Sequence, residues 1–246
     1  MAKKNSMKIV AALILGAMQA FAAASTPTHL AAADQLVTTL RTQGDNGIFT
    51  DATGTPLNRY GAAWADAYVF WGPTARAYAQ CNNFMTLLLQ NSYPGWTAKG
   101  AGFSSASPTA AMYHDAIEGN LYGFQKVSNF SNILPGDLLV AKYFDGSDNT
   151  GHVMLVRGAQ AMGTDGAGVT TWQIEVIDCS KSNHSQDTRV FNLGPNTTFA
   201  TGGVGRGLMQ VFTKNGAILA YTWSLANGSP VYYPAARHLT LGRLSN

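Results

Sequence analysis

The stretch PGDLLVAKYF, residues 135–144, followed after a polar loop by TGHVMLV, residues 150–156, decides the fold. A turn, an apolar run, a loop and a second apolar run predict an antiparallel hairpin. His152 opens the second strand directly after Gly151, and glycine allows another group to approach closely. A histidine at this place is either a hydrogen-bonded core residue or a general base, and the sequence leaves both interpretations open.

Cys81 precedes this hairpin and begins a short apolar segment, residues 81–90, that predicts a helix. The positive end of a helix dipole favours the thiolate form of a cysteine. A cysteine and a distant histidine are the minimum set for covalent acyl transfer. The alternative is a disulfide with Cys179, because an even number of cysteines in an exported chain is most often bridged.

Asp178 ends a third predicted strand, which a meander would place beside the strand of His152. A carboxylate there can hold the imidazole of His152 in one tautomer, although an aspartate at a strand end is also a common turn residue. Cys179 follows directly and faces the opposite side of the strand. A triad that uses Asp178 is therefore hard to combine with a Cys81–Cys179 disulfide.

Composition and the first residues indicate export. The chain has 246 residues, 46 % of them hydrophobic and only 12 % charged, which is about half the usual charged share. Residues 1–24 combine three lysines, an apolar run and an Ala-x-Ala end, and predict a secretory signal peptide. We expect one domain over residues 25–246, located in the periplasm or outside the cell, with no stable membrane span.

Other functional classes find little support in the sequence. The signal lysines account for the net charge of +3, so no basic surface predicts nucleic-acid binding. The glycine-rich run at 202–207 lacks a βαβ unit, so it does not predict a nucleotide site. No His-x-x-x-His or Cys-x-x-Cys pair occurs, and we expect neither metal nor cofactor. The remaining histidines, His114 and His184 among them, are weaker candidates for a role in catalysis.

Helical patterns come first in the chain and strand patterns follow, which is the α+β order. Helices are predicted at residues 28–43, 81–90 and 109–118. Strands are predicted at residues 138–144, 152–157, 170–178, 189–193, 207–214, 218–225 and 235–244.

In this order, Cys81, the PGDL turn at 135–138, the GHV strand at 151–153 and the VID strand end at 176–178 resemble the NlpC family of papain-like cell-wall peptidases. The resemblance covers roughly residues 60–180. It implies that Cys81 is the nucleophile, His152 the base and Asp178 the orienting residue. It also implies a papain-like, NlpC-like α+β domain, with N-terminal helices packed on an antiparallel sheet of about five or six strands.

The resulting hypothesis is an exported cysteine peptidase or amidase that cleaves amide bonds, with cell-wall peptides as the substrate class. The Cys81 N–H, with Gln80 or Tyr60, would stabilise the oxyanion. The competing hypothesis is a non-enzymatic exported domain that binds glycan or peptide and contains a Cys81–Cys179 disulfide. Under either hypothesis, a glycan or peptide groove would be lined by the aromatic residues Trp64, Tyr68, Trp71, Tyr93 and Trp96.

Overall fold

Strands make up most of the regular structure. The computed structural model describes residues 26–146 and 149–245, of which 39 % are strand and 22 % are helical. The helices are α1 (Thr28–Asp45), α2 (Cys81–Ser92), α3 (Ala98–Ala101) and α4 (Ala110–Glu118). The strands are β1 (Asn58–Tyr60), β2 (Tyr68–Phe70), β3 (Arg76–Ala79), β4 (Phe124–Lys126), β5 (Leu138–Tyr143), β6 (Gly151–Thr164), β7 (Val169–Ser180), β8 (Val190–Gly194), β9 (Thr197–Ala200), β10 (Gly203–Lys214), β11 (Ala217–Thr222), β12 (Val231–Tyr232) and β13 (Arg237–Leu244).

Eight of these strands form one antiparallel sheet in the order β12-β11-β10-β7-β6-β5-β13-β4. Its centre is the long β6–β7 hairpin, in which Leu155 lies opposite Ile177. On the other side of β6, His152 lies opposite Ala141 of β5. The last strand, β13, is inserted between β5 and the short β4.

Each face of the sheet covers its own apolar core. On one face, Val153, Leu155 and Ile177 pack with Phe84 and Leu88 of α2 in a fully buried cluster. The opposite face, where alternation along the strands places every second residue, forms a second core. Strands β11 and β13 contact each other across this second core, so the sheet curls around it.

A small sheet, in the order β1-β3-β2, leads into the helix that carries Cys81. Strand β3 pairs in parallel with β1 and ends at Ala79, opposite Tyr60. Gln80 then continues in an extended conformation as the N-cap, and α2 begins at Cys81. Strands β8 and β9 form a separate two-stranded sheet.

The predicted fold class is wrong. The chain is mostly β, with a large eight-stranded antiparallel sheet, and it is not a papain-like α+β arrangement of helices packed on five or six strands. The strands extend well beyond their apolar parts: β6 continues to Thr164, whereas the apolar pattern ends near Arg157. Residues 159–168 of this hairpin are exposed on both sides, so they show no alternation that a sequence pattern would detect.

The predicted signal peptide, residues 1–24, lies outside the described residues. Within the described ranges, no helix is both long and apolar enough to cross a membrane.

Candidate active site

Cys81 is held at the first turn of α2 by packing on both sides of the turn. Its helix is anchored in the core through fully buried Phe84. The neighbouring Asn83 donates from Nδ2 to the carbonyl of Ala62 over 2.9 Å, and its Oδ1 accepts from Ser107 Oγ over 2.7 Å. Cys81 itself is 5 % exposed. The thiol is thus nearly buried and rigidly placed, with the N–H groups of the first helical turn beside it.

His152 is placed by the tight start of β6. Gly151 has a φ of 139°, and a Cβ at this position would collide with the carbonyl oxygen of Ala141 on β5. Only glycine therefore allows the two strands to approach this closely directly before the histidine. His152 is 6 % exposed, and its side chain reaches the end of the sheet where α2 begins.

The three predicted catalytic residues lie together. The Cys81 thiol lies near enough to the His152 ring and the Val153 backbone N–H for both to lower its pKa. The Nε2 atom of His152 lies 2.7 Å from Oδ2 of Asp178, which is fully buried. Because Nε2 faces Asp178, the other ring nitrogen is available to the sulfur.

The surroundings favour a thiolate–imidazolium pair. Burial alone would raise the pKa of Cys81, but the charge and hydrogen bond of His152, with the Val153 N–H, lower it below the usual value. Burial alone would lower the pKa of His152, but Cys81 and Asp178 raise it to about 10. Burial would raise the pKa of Asp178, yet Arg189, His184 and His152 hold it well below its usual range.

The two cysteines are free thiols, so the structure does not contain the disulfide of the competing hypothesis. The fully buried Cys179 donates from Sγ to the carbonyl of Ala79 over 3.2 Å. Burial, followed by the negative charge of Asp178, raises the pKa of Cys179 well above the usual thiol value. The two thiols thus differ strongly in chemical character.

A layer of charged groups around Asp178 was missed by the sequence analysis. His184 Nε2 donates to the same Oδ2 atom that His152 contacts, over 3.1 Å. Arg189 Nη2 forms an ion pair with Asp178 Oδ1 at 3.2 Å. Arg189 also donates to both oxygens of Asp187, from Nε to Oδ1 over 2.8 Å and from Nη2 to Oδ2 over 2.6 Å. Asp187 in turn accepts from the backbone N–H of His184 over 2.8 Å. The carboxylate of Asp178 therefore contacts the guanidinium of Arg189 and the rings of His152 and His184.

The glycine-rich run at 202–207 makes room for this layer. A Cβ at Gly205 would lie 2.5 Å from Arg189 Nε, and a Cβ at Gly207 would lie 2.6 Å from the Cβ of His184. Glycines at alternate positions of β10 thus leave one face of the strand without side chains. Arg189 and His184 occupy the space on that face. This alternation of glycines is the sequence signal from which the missed residues could have been found.

Trp223 packs against both histidines. Its ring stacks on His184 with 4.3 Å between ring centroids, and His152 meets it edge-on at 4.8 Å. Its backbone carbonyl accepts from His184 Nδ1 over 2.8 Å. The indole therefore fixes the orientation of both imidazole rings.

Two cavities open on either side of the Cys81–His152 pair. One of about 430 Å³ contains Cys81 and Gln80, and one of about 660 Å³ contains His152. Tyr60 and Asn149 line both cavities and so mark the boundary between them. The larger cavity is lined by aromatic and cationic side chains, Tyr143, Lys181, Trp223, Tyr232 and Arg237.

Both predicted oxyanion residues are close to the thiol. Gln80 makes no side-chain hydrogen bond to the end of α2. Burial, followed by the nearby Cys81, raises the pKa of Tyr60, so its hydroxyl remains a hydrogen-bond donor. The aromatic residues predicted to line a groove, Trp64, Tyr68, Trp71, Tyr93 and Trp96, are absent from the described lining of both cavities.

The chain matches no protein-family model, and no solved structure matches it. It is 26 % identical over 196 residues to an uncharacterized protein, R653, of Acanthamoeba polyphaga mimivirus. The matched region covers 72 % of this chain and 84 % of the viral protein. The description of that relative states no activity.

Proposed function

We propose that this chain is an exported cysteine hydrolase that cleaves amide bonds by acyl transfer. The observation that carries the proposal is the continuous contact from Cys81 to His152 to Asp178 at the start of α2. The order of the motifs around these residues is similar to that of NlpC-type enzymes. The proposal rests on the motifs and the geometry and does not require a papain-like fold.

In the first half-reaction, the Cys81 thiolate attacks the carbonyl carbon of an amide and forms a carbon–sulfur bond. The carbonyl π electrons move to oxygen and then return as the carbon–nitrogen bond breaks. His152 gives its proton to the leaving nitrogen, which departs as an amine. The product on the enzyme is a thioester at Cys81, with His152 now neutral.

In the second half-reaction, neutral His152 takes a proton from a water molecule that attacks the thioester carbon. The carbon–sulfur bond breaks, the acyl group leaves as a carboxylic acid, and the thiolate–imidazolium pair is restored. Asp178 keeps its charge throughout and stabilises the imidazolium. Its contacts with Arg189 and His184 suit this role, because they hold the pKa of Asp178 far below that of His152.

Stabilisation of the oxyanion is assigned to groups that line the smaller cavity. The backbone N–H groups at the start of α2 have no acceptor within the helix. The Gln80 side chain and the Tyr60 hydroxyl are further donors at this cavity. Each such donor contributes about 10²–10³-fold to kcat in enzymes that use the same device.

Peptide or isopeptide amides of the bacterial cell wall are the proposed substrate class. Two cavities that meet at the nucleophile suit a substrate that extends on both sides of the cleaved bond. The signal-like first 24 residues support a place of action outside the cytoplasm. We therefore assign the protein to the periplasm or the extracellular space.

The test is incubation of the purified chain with cell-wall peptides and detection of new amino groups by mass spectrometry. Cys81→Ala and His152→Ala should each abolish the release of amine. Cys179→Ala is the matched control, because it removes the other thiol and should preserve the activity. Circular dichroism shows whether each variant folds.

Cell-wall peptides that bind without cleavage, with equal affinity in wild type and Cys81→Ala, would favour the non-enzymatic binding domain. Cleavage that persists in Cys81→Ala would show that the nucleophile is assigned wrongly.

A further inference from the structure

A cluster of potential metal ligands lies outside the proposed active site. His114 and Glu118 are four residues apart on α4, and therefore lie on one face of the helix. His238 lies on β13, against which α4 packs. One ligand atom from each of these three residues lies within 4.8 Å of the others.

The orientation of His114 is fixed by a carboxylate behind it. Its Nδ1 lies 3.0 Å from Asp115 Oδ1, and because a carboxylate only accepts, Nδ1 carries the proton. Lys142 donates to both oxygens of Asp115 over 2.7 Å, which holds the carboxylate in place. Nε2 of His114 therefore has its lone pair directed into the cluster, 2.7 Å from His238 Nδ1. A carboxylate bound to the far nitrogen is the usual support of a metal-binding histidine.

The position of Glu118 is fixed by two neighbours. Lys126 Nζ donates to its Oε2 and Thr240 Oγ1 donates to its Oε1. These bonds are 2.6 Å and 2.5 Å long and hold the two oxygens of Glu118 beside the histidines.

We propose that His114, Glu118 and His238 bind a divalent zinc-type metal ion. Two imidazoles and one carboxylate are ligands that Zn²⁺ accepts, and they leave a fourth position for water. Zn–N bonds of about 2.0–2.1 Å place two tetrahedral nitrogen ligands about 3.4 Å apart. The 2.7 Å contact between the two rings thus needs to widen by less than about 1 Å, while the proton on Nδ1 of His238 moves to Nε2 of the same ring.

The site has a route to solvent. Glu118 and His238 are half-buried and line a cavity of about 170 Å³. His114 closes the inner side, with 5 % of its surface exposed. The alternative is a metal-free hydrogen bond between the two histidines that fastens α4 to β13.

Calorimetric titration of the full chain with Zn²⁺ separates these two possibilities. The protein carries Cys81→Ser, so that the reactive thiol does not compete for the metal. We expect one Zn²⁺ per chain. His238→Gln and His114→Gln should abolish this binding, and Asp115→Asn should weaken it about 10–100-fold.

His29→Gln is the matched control, because His29 is also buried but bonds to Tyr93 and to the carbonyl of Gly136. It should leave Zn²⁺ binding unchanged. Because His114 is buried, the half-buried His238 provides the second variant if His114→Gln fails to fold. No binding to the parent protein would show that the contact is only a hydrogen bond. Equal binding by parent and His238→Gln would place the metal elsewhere, and either result overturns the proposal.

Discussion

Removal of the imidazole beside Cys81 should slow alkylation of the thiol at acidic pH. We consider His152→Ala in a Cys179→Ala background, so that every measured adduct forms on Cys81. In the parent protein His152 lowers the pKa of Cys81, and Cys81 and Asp178 raise the pKa of His152 to about 10, so we expect the thiolate–imidazolium pair to persist at pH 6. Without the imidazole, burial remains and favours the neutral thiol.

The size of the effect follows from the thiolate fraction. An unperturbed thiol with a pKa near 8.5 is about 0.3 % thiolate at pH 6. A fully formed thiolate in the parent therefore gives an advantage of about 300-fold, of which its lower basicity removes about tenfold. We expect alkylation at pH 6 to be at least about 30-fold faster in the parent than in His152→Ala. Near pH 9 the ratio should fall to about one or below.

The assay is the rate of iodoacetamide labelling between pH 5 and pH 10, measured by intact mass. The Cys81 sulfur is nearly buried, and removal of the His152 ring can only make it more accessible to the reagent. Greater access would speed labelling of His152→Ala, whereas we expect slower labelling, so a change in access cannot produce the expected result. His29→Ala, which removes a buried histidine elsewhere, should retain the parent profile.

Equal labelling rates at pH 6 in parent and His152→Ala would refute the argument. So would a parent profile that rises only near pH 8.5, because the thiol would then behave as if His152 were absent.

Four other substitutions test the pair and its surroundings. His152→Ala should lower kcat by at least about 10²–10⁴-fold, and Asp178→Asn should lower it by less, because orientation is only part of catalysis; steady-state kinetics on the cleaved peptide measure both. Arg189→Met should lower the free energy of unfolding by about 3–5 kcal/mol, because it leaves buried carboxylates without their cation; urea unfolding measures the loss, and a change below 1 kcal/mol would contradict it. Gly205→Ala should cost about 1–3 kcal/mol by collision with Arg189, whereas Gly158→Ala, whose Cβ meets nothing within 4 Å, should cost less in the same assay.

Local signals in the sequence predicted the elements that carry Cys81 and His152. The helix begins at Cys81, and the hairpin of residues 138–157 is present. Both features depend on neighbours in the chain, namely apolar spacing and a turn, and such features are visible in one sequence. The face of Asp178 also follows from alternation, because Asp178 and Cys179 point to opposite sides of β7.

The sheet as a whole was not predictable in the same way. Strand β13 pairs with β5 and β4, more than ninety residues earlier in the chain. Alternation shows that a segment is a strand but does not show which strand is its partner. The tip of the β6–β7 hairpin, residues 159–168, is exposed on both faces, so backbone pairing holds it and leaves no apolar pattern.

Charge balance gives a physical reason for the residues that the sequence analysis missed. Asp178 Oδ2 and the Trp223 carbonyl can only accept, so both ring nitrogens of His184 face acceptors, an arrangement that suits the protonated ring. His184, His152 and Arg189 then supply three positive charges. The thiolate of Cys81, Asp178 and Asp187 supply three negative charges.

A buried charge is stable only when it is paired. A carboxylate in the third catalytic position therefore requires a cation besides His152, because His152 also compensates the thiolate. This requirement explains why a serine- and asparagine-rich loop places His184 and Arg189 in the interior.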